Sequence, residues 1–260
     1  STAGIGKLRP NTLLVAYPRN WMHDAKQEAQ MKLVFHLLED ALKMRFHVMM
    51  FRGKEGATTC DFDGPAHKRG SVDVWWITDD GAMSLLTPHL MLLSSYWQNN
   101  TNVKTPLKLR HVTKLPVQEH QAEEVKMKSF LRRHRLNWPV EVEGLVDPTT
   151  RSAMPDDNTV RKFESLHPEV VKLADMDTQV RQWTNSWLRI AEVVNLESAR
   201  DSPKCIYITL PFPRSELKAA TYFGWLEMIA DIHDDKGNLA DVPVCFIRGN
   251  GKDVVTADMD

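Results

Sequence analysis

The sequence predicts an α/β fold, a mostly parallel sheet flanked by helices and arranged as two subdomains. Three observations predict it. Short apolar runs closed by proline, glycine or charge alternate with longer segments whose apolar residues recur every three to four positions. Strands separated by helices make βαβ units, whose strands run parallel. The adjacent Trp75 and Trp76 inside "SVDVWWI" point to opposite sides of a strand, which suits a sheet covered on both faces.

The elements follow in order. "NTLLVAYP" (11–18) is a first buried strand. Asp24 and Gln27 resemble a capping box, and behind them Met31, Val34, Leu38, Ala41 and Arg45 recur at helical spacing. "HVMMFRG" (47–53) is a second strand, a polar glycine-bounded loop (56–70) follows, and "SVDVWWI" (71–77) is the third. Leu86, Leu90, Leu93 and Trp97 fall on one face of a helix. "PLKLRHVTK" (106–114) is a fourth strand, Met127, Phe130, Leu131 and His134 mark a helix, and "PVEVEGL" (139–145) is a fifth strand. The Pro, Asp and Thr content of 147–159 marks a linker or mobile loop, which divides the chain into subdomains at 1–146 and 160–260 that can share one sheet. Two helices then break near Pro168 and Asp177. A strand (204–211), a helix carrying Ala219, Tyr222, Leu226 and Ile229, a strand (242–249) and a short final strand (253–256) complete the chain.

Composition excludes several classes. A net charge of −1 argues against a dominating attraction to nucleic acid or membranes, so no nucleic-acid partner is expected. The scattered Cys60, Cys205 and Cys245 read as reduced thiols of an intracellular protein, not a disulfide framework or zinc site. No stretch approaches the roughly 20 apolar residues needed to cross a bilayer. The basic run "KMKSFLRRHR" (126–135) closes a helix, where cations suit the dipole, and reads as a solvated face in preference to a lipid-binding patch.

The motif that raises a functional question is Asp79-Asp80-Gly81, after the third strand. Aspartate is a favoured N-cap, and capping is the preferred reading over metal binding or acid/base catalysis. Ligands of open α/β sheets bind at the carboxyl ends of strands. Thr78, Asp79, Asp80 and Gly81, with Arg19, Arg52 and Lys54 expected nearby, therefore form a candidate nucleotide site, with ATP or ADP as a bound regulator. Two aspartates repel phosphate, however, and no P-loop is present. Ser215 and Lys218 have the spacing of a serine–lysine pair, but Ser215 reads as the N-cap of the following helix. No residues assemble a nucleophile, base and orienting group, so no enzyme is expected and no cofactor is required.

"GIGKLRPNTLLVAYPRNW" (4–21) and "GSVDVWWITDDGAMSLLTPHLM" (70–91) resemble the cytosolic C-terminal domain of the cation–chloride cotransporters. "CIYITLPFPRSELKAATYFGWLEMIADI" and "VPVCFIRGNGKDVVT" resemble that domain's last strand–helix–strand. Ala82, where the family has a second glycine, and the terminal "TADMD" depart from it. "VAYP", "DGAM" and "RGNGKDVVT" resemble the K–Cl branch, "YFGWLEM" and "RGN" the Na–K–Cl branch, and the balance falls to K–Cl. The resemblance implies a universal-stress-protein-like fold and a piece of a larger transporter on the cytoplasmic side of a membrane, the plasma membrane. It implies homodimerisation, contact with the transporter's own membrane domain, and regulation by a kinase. Setting "SWLRIAEVV" (186–194) against the K–Cl branch places Ser186 at a phosphorylated position before a helix, with Thr184 nearby. The alternative is a free-standing universal-stress-like nucleotide-binding protein.

Overall fold

The structure, a computed structural model, describes residues 11–53, 70–101, 106–147, 152–233 and 242–251. The run at 4–9, Lys54, most of the loop at 56–70 and the strand expected at 253–256 lie outside the described residues.

Seven strands form one sheet: β1 (Thr12–Ala16), β2 (His47–Arg52), β3 (Val72–Trp76), β4 (Leu107–Thr113), β5 (Val140–Gly144), β6 (Cys205–Thr209) and β7 (Val244–Arg248). Their spatial order is β1-β2-β7-β6-β3-β4-β5. Every neighbouring pair is parallel except β2 and β7, which run antiparallel with Val48 opposite Arg248. The α/β class and the mostly parallel sheet are thus borne out. In space, β6 and β7 insert between β2 and β3, so strands from both sides of the 147–159 segment share the sheet.

The helices are α1 (Ala25–Lys43), α2 (Met83–Leu92), α3 (Ser95–Asn100), α4 (His120–Arg133), α5 (Asp157–Ser165), α6 (Thr178–Asp201) and α7 (Ala219–Ala230). Asp24 caps α1 by accepting from Lys26 N at 2.8 Å, and Asp177 caps α6 by accepting from Gln179 N and Val180 N at 2.9 Å. Each carboxylate satisfies first-turn donors that the helix cannot.

Three local expectations are corrected. Arg45 is not helical: α1 ends at Lys43, and Arg45 takes a left-handed φ of 62° so that Phe46 N can bond Ala41 O at 2.9 Å. Leu86, Leu90, Leu93 and Trp97 do not share a helix face, because Ser94 is extended and Trp97 starts afresh in α3. Ser215 is not an N-cap: a turn with Leu217 N bonded to Arg214 O delays α7, and Lys218 precedes its first turn.

β3 and β6 are buried along their whole length because both faces are covered. Trp75 belongs to the core cluster beneath α1, α6 and α7, whereas Trp76 belongs to the cluster beneath α2 and α4, as the alternation of the strand requires. Cys205 and Cys245 are buried free thiols on β6 and β7.

Candidate functional site at the carboxyl ends of the central strands

Thr78 to Gly81 form the turn between β3 and α2. Thr78 and Asp79 are exposed, whereas Asp80 and Gly81 are buried. The turn closes through consecutive positive φ angles, 80° at Gly81 and 63° at Ala82, and Asp79 Oδ1 accepts from Gly81 N at 3.0 Å. Neither aspartate occupies the N-cap position, which is Ala82 with no side-chain cap. Asp80 nevertheless anchors the helix start from two residues upstream, its Oδ1 accepting from Ser84 Oγ at 3.2 Å. Its Oδ2 accepts from Gly249 N at 2.9 Å, which ties the end of β7 to the turn after β3. Gly249 has to be glycine: a Cβ there would stand 1.8 Å from Asp80 O. Burial pushes the Asp80 carboxyl above its ordinary range, opposed by those hydrogen bonds.

The cations expected beside this turn are elsewhere. β1 and β2 run opposite to β7, β6 and β3, so Arg19 and Arg52 follow strand ends at the opposite end of the sheet, where Arg52 pairs with Val244 at the start of β7. Arg52 is bonded there to Glu227 at 2.8 Å and to Ala230 O at 3.2 Å. The guanidinium that does reach the site is Arg248, which the sequence reading missed. It donates to Leu210 O at 2.6 Å and lies 5.4 Å from the Phe212 ring, and burial lowers its proton affinity. His47 is buried beside it and accepts from Asn250 N at 3.2 Å through Nδ1. Burial pulls its pKa down, consistent with the neutral ring that this bond requires.

A cleft of about 210 Å³ lies between Asp79, Asp80, Phe212, Arg248 and Asn250. That is below the roughly 300–1,000 Å³ of small-molecule sites. The Gly249 N–H, which could serve an anion, is already taken by the Asp80 carboxylate. The arrangement contains no nucleophile–base pair among the described residues, and its hydrogen bonds tie the strand-end turns to one another. Among the described residues no group of His, Cys, Asp and Glu is arranged to hold a metal ion.

The two phosphorylation candidates lie in α6, inside the helix and not ahead of it, because the Asp177 cap sets the helix start well upstream of both. Thr184 is fully buried and accepts from Trp225 Nε1 at 3.2 Å. Ser186 is partly exposed, with Lys114 Nζ 3.5 Å from its hydroxyl.

A second polar centre escaped the sequence reading. Arg110 on β4 is 1% exposed and bonds Asp73 on β3 and Glu141 on β5, each at 2.9 Å, with further contacts to Glu143 and to Asp201 of α6. Its guanidinium lies 5.2 Å from the Trp75 ring centre. One buried cation thereby joins three strands and the last turn of α6. Burial pushes the Glu143 carboxyl up, with Arg110 opposing. The available signal was a charge inside each of two apolar strand runs, Asp73 and Arg110, but only the β3–β4 pairing brings them together.

The model of solute carrier family 12 matches residues 1–65 and 57–258, essentially the whole chain. The chain belongs to this family. The family-12 chain is 31% identical to the bumetanide-sensitive sodium-(potassium)-chloride cotransporter of Manduca sexta, over 72% of the chain and 17% of that protein. It is 25% identical to solute carrier family 12 member 1 of Rattus norvegicus, over 81% of the chain and 19% of that protein. Against member 3 of Pseudopleuronectes americanus the identity is 23%, over 98% of the chain and 29% of that protein. The family-12 chain therefore spans less than a third of the length of these relatives. The crystal structure of the cytoplasmic domain of a prokaryotic cation chloride cotransporter is similar at a TM-score of 0.45 and 13% identity, over 94% of the chain and 65% of that structure. Among the described residues no helix is long and apolar enough to cross a membrane.

Proposed function

We propose that this chain is a non-catalytic regulatory and dimerisation domain on the cytoplasmic side of an electroneutral cation–chloride cotransporter of the plasma membrane. The observation that carries this reading is a family match along the whole chain combined with a strand-end crevice tied by its own Asp80–Gly249 bond. The domain moves no ion itself. Paired copies bias the membrane part of the same protein between states, which requires contacts that differ between those states. A kinase acts on this domain through Ser186, the partly exposed one of the two candidates.

The motifs at Val15–Pro18, Asp80–Met83 and Arg248–Thr256 favour a K–Cl cargo. A sodium-coupled cargo is the second reading, favoured by the name of the Manduca sexta relative. A bound ATP or ADP regulator is the weaker proposal, supported by Arg248 in the cleft and opposed by Asp79 and Asp80.

Rubidium uptake by cells expressing the full-length protein, with and without this region, tests the proposal. Chloride-dependent uptake that survives sodium removal and changes on deletion of the region supports the K–Cl form. Uptake that stops without sodium supports the sodium-coupled form. Uptake indifferent to the deletion overturns the regulatory role.

A further inference from the structure

The chain carries a net charge of −1, but its cations are unevenly placed. No Asp or Glu occurs between Met83 and Thr101 or between Val125 and Val140, whereas five Lys and Arg fall within 126–135. The fold brings these two acid-free stretches together. β3, β4 and β5 are parallel, α2 follows β3, and α4 follows β4, each packing back over the same face through Met83, Leu85, Met127 and Leu131. Their carboxyl-terminal ends consequently emerge side by side at the amino ends of the strands. One ring contact joins the two stretches there: His89 of α2 and Trp138, which follows α4, lie 6.2 Å apart.

The surface formed there is both apolar and cationic. Met91 and Leu92 turn inward, which leaves Leu90 and Leu93 53% and 61% exposed. Lys126 and Lys128 are paired with Glu123 and Glu124, one turn back on α4. Arg132, Arg133 and Arg135 are exposed and have no carboxylate within 4.0 Å among the described residues.

We propose that this edge, whose basic run taken alone reads as a solvated face, is with Leu90 and Leu93 beside it a docking surface for an anionic lipid bilayer, the leucines entering the interface and Arg132, Arg133 and Arg135 meeting the headgroup charge. Projecting aliphatic side chains flanked by guanidiniums suit a planar surface that accepts both, whereas an acidic peptide would leave the leucines in water. The inference rests on the reading of this chain as part of a membrane transporter and adds to it the face that turns toward the lipid.

Co-sedimentation of the purified 260-residue chain with vesicles tests it, comparing phosphatidylcholine alone with phosphatidylcholine containing phosphatidylserine. The chain is expected to pellet with the anionic vesicles at low salt, to be released by high salt, and to ignore the neutral ones. Arg132→Gln/Arg133→Gln/Arg135→Gln is expected to lose roughly a hundredfold in affinity. Leu90→Asn/Leu93→Asn weakens binding to the same vesicles, and both variants, being changed only at the surface, retain the wild-type Tm. A chain that stays in solution with anionic vesicles, binds neutral ones equally, or binds unchanged after the triple substitution overturns the inference. So does capture by polyglutamate in place of vesicles. If the isolated chain ignores vesicles while deletion of this region from the full-length protein still alters uptake, only the lipid inference falls.

Discussion

Asp80 is 2% exposed, and its carboxyl is pushed above the ordinary value of 3.8 because burial penalises the ion more than Gly249 and Ser84 reward it. A raised folded value means that the native state holds its proton to higher pH than the unfolded chain does. Its contribution to stability is therefore complete at pH below the unfolded value and is lost as pH rises through the folded one. Asp80→Ala, which leaves the Gly249 N–H without its acceptor, is expected to cost about 1–3 kcal/mol in acid. The deficit should shrink toward neutral pH, since only the wild type bears the cost of ionising. Urea unfolding of both proteins from about pH 3.5, near the unfolded value, up to about pH 7 measures this, and a constant or widening gap would count against the assignment. The sequence identified this residue and tied it to the start of α2. It could not show the partner at Gly249, which is distant in the chain and meets Asp80 only because β7 lies two places from β3.

At the scale of elements, the cap at Asp24 was legible, whereas those read at Asp79–Asp80 and at Ser215 were not found, and phase was not always legible. Asp24 and Asp177 start α1 and α6 as their side chains predict. The segment from Met83 to Leu93 is apolar nearly all round, so its spacing says nothing about which side is buried. Packing chose Met83, Ser84, Leu85 and Pro88, and left Leu90 and Leu93 outside. The placement of Ser186 and Thr184 inside α6 separates their responses. Thr184→Glu would bury a charge and deprive Trp225 Nε1 of its acceptor, costing about 3 kcal/mol or more. Ser186→Glu, partly exposed near Lys114, should stay within about 0.5 kcal/mol. Thermal unfolding of the two variants checks this, and the reverse order would refute the placement. Mass spectrometry after kinase treatment should correspondingly find phosphate on Ser186 and none on Thr184 in the folded protein.

For the molecule as a whole, alternating strands and helices made the layered α/β architecture readable, because local periodicity carries that information. Strand order and direction were not readable. Arg19 and Arg52 were expected beside Asp80 because the first three strands were taken as sharing one direction within a mostly parallel sheet. The single antiparallel pairing of β2 with β7 sends the carboxyl ends of β1 and β2 to the opposite end of the sheet. The same insertion of β6 and β7 into the middle of the sheet joins the two halves of the chain, and Arg110 fastens β3, β4 and β5 to the last turn of α6. For a scaffold tied in this way, with Asp80 bonded across the strand-end crevice to Gly249, we propose a role in transmitting contact between copies. Sedimentation velocity of the 260-residue chain across the micromolar range tests that claim most directly. A species of twice the chain's mass that grows with concentration is expected, and a single-chain mass at every concentration would contradict pairing.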